Sequence, residues 1–63
     1  MREETITLKS LDNRFMIEQE KEGELFTLTI YEDGRSVFST AYQDKKSHRE
    51  LANTLANYIK AFG

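Results

Sequence analysis

The sequence predicts an α+β domain: a four-stranded antiparallel β-meander with one C-terminal α-helix packed on one face, in the order ββββα. Three observations carry this expectation. Residues 25–42, LFTLTIYEDGRSVFSTAY, are two strand-like runs around Asp33-Gly34, a pair that suits a two-residue turn with positive φ at both central positions. Upstream, Thr5–Lys9 and Arg14–Gln19 flank Asp12-Asn13, residues that tolerate left-handed backbone and favour tight turns. Downstream, Leu51, Leu55, Tyr58, Ile59 and Phe62 recur at helical spacing.

The first strand is expected over about residues 4–10, where Thr5-Ile6-Thr7-Leu8-Lys9 alternates polar and apolar. The second covers about 14–20, with Phe15 and Ile17 on one face. A charged connection, Glu20-Lys21-Glu22-Gly23-Glu24, follows, and its Gly23 can supply positive φ. Strands over about 24–32 and 35–42 complete the sheet. Two-residue turns at 12–13, 22–23 and 33–34 would align Leu8, Ile17, Leu28 and Ser39 in one row. Ser10, Phe15, Ile30 and Val37 form a second row, and Ile6, Gln19, Phe26 and Ala41 a third. Nearly every large aliphatic residue then falls on one face, an agreement that a one-residue slip would scramble.

That face needs a cover. Ser47-His48-Arg49-Glu50 matches a capping box, opening a helix over about 48–62 that Gly63 would stop. Such a helix spans roughly 22 Å, enough to cross the sheet. Small residues at Ser39 and Ala41 would let it approach the fourth strand. The opposite face then carries Met16, Leu25, Tyr31, Phe38 and Tyr42 with threonines between them, more large side chains than an open sheet face ordinarily shows. In this register Lys9, Met16, Thr29 and Phe38 form one of its rows.

The 63 residues make a single domain, 1–63, near the lower limit for independent folding, without a cysteine to staple it. One histidine cannot anchor a zinc site, so no metal and no cofactor are expected. The lack of cysteine fits a reducing, cytoplasmic setting. No run is long and apolar enough for a membrane, and Met1-Arg2-Glu3-Glu4 does not open a secretory signal. The formal charge of −2 is unevenly placed. Residues 1–34 hold four Lys/Arg against nine Asp/Glu, and residues 35–63 hold five against two.

Catalytic constellations are not expected. Ser47 and His48 are consecutive helix-start residues and do not face each other as nucleophile and base must. Glu18, Glu20, Glu22, Glu24, Glu32 and Asp33 fall on exposed strand positions or turns, not in a cleft that would separate carboxylate pKa values. Neither calcium-loop spacing nor a Gly-rich phosphate loop is present. Lys45, Lys46 and Arg49 surround a helix start and are candidate anion contacts.

The reading that results is a non-enzymatic protein-interaction module. Its partner is itself, as a homodimer, or another protein, bound through the outer sheet face or an edge strand. The alternative is a single-stranded nucleic-acid binder that stacks bases on Tyr31, Phe38 and Tyr42 and contacts phosphates through Lys9, Arg14 and Arg35. Four antiparallel strands followed by a C-terminal helix resembles the layout of PC4-like single-strand-binding proteins. That resemblance implies nucleic acid as a partner, although acidic connections replace the basic, aromatic-rich strands expected of such a surface.

Overall fold

The computed structural model describes residues 5–62, which form β1 (Thr5–Lys9), β2 (Phe15–Glu22), β3 (Leu25–Glu32), β4 (Arg35–Tyr42) and α1 (His48–Phe62). The strands lie in sequence order and every neighbouring pair is antiparallel. One helix packs on one face, so the architecture is the ββββα expected. A strand start at residue 4 and a helix stop at Gly63 lie outside the described residues.

The first connection holds the expected register, with Leu8 opposite Ile17 and Ile6 opposite Gln19. Ser10 Oγ donates to Asp12 Oδ1 at 2.6 Å, and the Arg14 N–H donates to the same oxygen at 3.0 Å. These bonds, the Ser10 hydroxyl first, hold the Asp12 carboxyl below its ordinary range. Asn13 takes the left-handed backbone, at φ 62°.

The second turn sits one residue later than the sequence suggests. Glu22 pairs with Leu25, which leaves Gly23-Glu24 as the loop, with Gly23 at φ 64° in the first central position. Moving a two-residue turn by one position shifts the register by two. Ile17 therefore faces Ile30 and Gln19 faces Leu28, yet each side chain keeps its face because the pleat also has a period of two.

The third turn departs further from expectation. Asp33 and Gly34 have φ of 52° and 84°, and the pairs Glu32–Arg35 and Tyr31–Ser36 follow the predicted register. A bulge then intervenes, and from Ile30–Phe38 onward β4 is displaced by one residue. Phe38, Thr40 and Tyr42 therefore share the helix-side face with Ile30, Leu28 and Phe26, while Ser39 and Ala41 lie on the outer face. Strict alternation would have sent the Phe38 and Tyr42 rings away from the core. The extra residue instead brings Phe38 to Tyr58 and Tyr42 to Phe26.

Phe15, Ile17, Leu28 and Ile30 from the sheet and Leu51 and Leu55 from the helix form the buried core, each at most 5% exposed. Ile6, Leu8, Tyr42, Tyr58 and Ile59 pack around them. The helix begins as predicted: the Ser47 N–H donates to Glu50 Oε1 at 3.0 Å, and the Glu50 N–H donates to Ser47 Oγ at 3.2 Å. Its backbone lies over β1 and β2, not over β4 as small residues at 39 and 41 had suggested. This offset leaves the inner face of β3–β4 only partly covered.

Candidate interaction surface

β4 is an edge strand, and seven of its eight residues, Arg35 to Ala41, are exposed. An antiparallel strand turns alternate N–H and C=O groups away from its partner, so β4 offers a row of backbone donors and acceptors on the side away from β3. Beside this edge runs a groove lined by Ile30, Val37, Phe38, Thr54, Asn57, Tyr58 and Phe62. Phe38 and Tyr58 rings lie 6.4 Å apart, and Tyr58 and Phe62 rings 4.9 Å apart. Val37 remains 41%, Phe38 45% and Phe62 76% exposed. None of the lining side chains carries a charge. Such a wall suits apolar contact beside a backbone ladder and offers nothing for acid–base work.

The bulge at Val37 builds this groove, because it turns two consecutive apolar residues toward the helix. The uncovered position arises because α1 leans on β1 and β2. A smaller groove on the opposite flank of α1 is lined by Leu8, Leu11, Ala52, Ala56 and Ile59 among others, with Leu11 fully exposed.

The five side chains expected on the outer face are divided between the two faces. Met16 and Tyr31 sit opposite one another on the outer side of β2–β3. Leu25 lies at the far end of β3, opposite Glu22 and 45% exposed. The pairs Glu18–Thr29 and Glu20–Thr27 separate Leu25 from Met16 and Tyr31. Phe38 and Tyr42 belong to the helix side. Tyr31, Phe38 and Tyr42 therefore do not form a shared stacking platform. Arg14 donates to Glu32 at 2.9 Å and lies 3.9 Å from Asp33, which occupies one of the cations assigned to phosphate.

At the helix start Lys45 and Lys46 gather with Ser47 and His48 around a shallow surface depression, and Arg49 is not among its lining residues. Glu50 lies in the same depression. Hydrogen bonding from the Ser47 N–H, and then from its hydroxyl, keeps the Glu50 carboxyl below its ordinary range. An anion would therefore meet a carboxylate already seated on the helix N-terminus. Lys46 Nζ stands 5.2 Å from the Tyr42 ring centre, a geometry that occupies its charge locally.

Sequence reading placed Gln19 on the inner face without finding its role. Its side chain is 2% exposed. Gln19 Oε1 accepts from the Lys46 N–H at 3.0 Å and from the Tyr42 hydroxyl, and Nε2 donates to the Lys46 carbonyl at 3.2 Å. One amide thereby ties the end of β4 and the approach to α1 onto β2. The available signal was a lone amide among apolar inner-face positions. Among the described residues no His/Cys/Asp/Glu group could hold a metal ion, and no helix is long and apolar enough to cross a membrane. No family model, curated protein or solved structure matches the chain.

Proposed function

We propose that this protein is a non-enzymatic interaction module that receives an extended polypeptide segment along β4, with the segment's apolar side chains entering the groove between β4 and α1. The supporting observation is the coincidence of two unfilled features. A free strand edge runs beside an uncharged apolar groove containing Val37, Phe38, Tyr58 and Phe62. Strand addition uses both, main-chain hydrogen bonds for affinity and side-chain pockets for selectivity. The outer face supports the reading less well, since Glu18 and Glu20 interrupt its apolar residues.

Photo-cross-linking tests the proposal. A benzoylphenylalanine in place of Phe38 should form polypeptide adducts in a native extract, whereas the same group in place of Tyr31 should form few. Adducts confined to position 31 would transfer the function to the outer face. A lack of adducts from either position would refute the proposal.

A further inference from the structure

We infer that the segment lying along β4 is the β4 of a second copy of this chain, paired antiparallel about a two-fold axis at Thr40. The inference rests on the reading of β4 as the interaction edge and specifies its occupant. Residues 36–43, SVFSTAYQ, contain no charged residue and no proline, although natural proteins commonly guard exposed edges with both. The guard present is the bulge at Val37. Beyond it Phe38–Tyr42 continues as a regular ladder, and Thr40 is the centre of that stretch.

Self-pairing about Thr40 sets Phe38 of each copy opposite Tyr42 of the other, Thr40 opposite Thr40, and Ser39 opposite Ala41. Opposed residues share a face, so both aromatic pairs fall on the helix side, where Phe38 is still 45% exposed. The small Ser39 and Ala41 meet on the outer side. Aromatic and Thr–Thr pairs are both favourable cross-strand partners. A centre at Phe38 would instead oppose Tyr42 to the Gly34 turn, and a centre at Ser39 would yield no aromatic pair.

This register leaves charged side chains only at the two ends of the seam, where Arg35 of one copy falls opposite Lys45 of the other, next to its Asp44. The axis stands perpendicular to the sheet, which places both helices on one face and closes both β4 edges in one isologous contact.

Sedimentation velocity of the full chain tests the inference. The wild type should associate to twice the monomer mass at high micromolar concentration. Thr40→Lys and Thr40→Glu should each weaken association by about tenfold or more, because like charges then face one another across the axis. Mixing the two variants should restore it, since lysine then faces glutamate. Thr40 is exposed, so both variants should keep the wild-type circular-dichroism spectrum. A monomeric wild type, unchanged association of either variant, or a mixture that stays monomeric would overturn the inference. Adducts from position 38 with other polypeptides only, together with a monomeric wild type, would sink the second copy and leave the edge reading standing. A monomeric wild type with no adducts would sink both.

Discussion

Gln19 is the single polar side chain fully buried among the described residues, and its amide satisfies three groups at once. Gln19→Leu keeps the side chain's approximate size but leaves the Lys46 N–H, the Lys46 carbonyl and the Tyr42 hydroxyl without this partner. The expected loss is about 1–3 kcal/mol, the usual cost of stranding a buried polar group, read as a lower urea midpoint. A neutral result would mean that the amide does not hold the β4–α1 approach in place. Burial raises the Tyr42 phenol above its ordinary value, and the Glu50 carboxylate adds to the rise. The folded state then keeps the phenolic proton longer than the unfolded chain. Tyr42 contributes fully below the unfolded value of about 10, and its contribution fades as pH rises through the higher folded value. Tyr42→Phe should remove this alkaline limb from a stability–pH profile, and an unaltered limb would assign it to another group.

The bulge in β4 and the cap of α1 make predictions at the level of the element. Deleting Val37 removes the extra residue while leaving Phe38 opposite Ile30, so the helix-side face of residues 38–42 is retained. The deletion variant should fold with a loss of about 1–2 kcal/mol, from the apolar area that the largely exposed Val37 still covers in the groove. Had β4 been regular with Val37 facing inward, the same deletion would reverse every side chain beyond it, and the variant would lose its native circular-dichroism signal. Ser47→Ala should lower stability by about 0.5–2 kcal/mol through loss of the capping hydroxyl, measured by thermal or urea unfolding. The helix was legible in the sequence because its cap, its apolar spacing and its length all agree. The bulge was not. Asp33-Gly34 fixes the first two pairs of the hairpin, but where alternation breaks depends on which part of the sheet the helix leaves open. Placing Ser39 and Ala41 inward had a local logic, as a seat for the helix, and packing of Phe38 and Tyr42 decided otherwise.

Across the whole molecule, the strand order and the identity of the sheet's buried face follow from hydrophobic alternation, and they survived a two-residue error at Gly23 because that error preserves parity. The groove of the proposed interaction surface was less legible, since it depends on the lateral position of α1. A helix over β1 and β2 leaves β4 exposed both along its edge and on its inner side, and the bulge in β4 turns Phe38 from the outer face into the wall of that groove. Backbone amide exchange tests the resulting account most directly. Hydrogen–deuterium exchange should be followed at low and high protein concentration, at the amides of residues 38–42 that β3 does not already protect. The account predicts that these amides slow markedly as concentration rises, while exchange in the Leu11–Arg14 connection stays constant. Equal, rapid exchange of those amides at every concentration, in a protein that nevertheless associates, would contradict β4 as the seam.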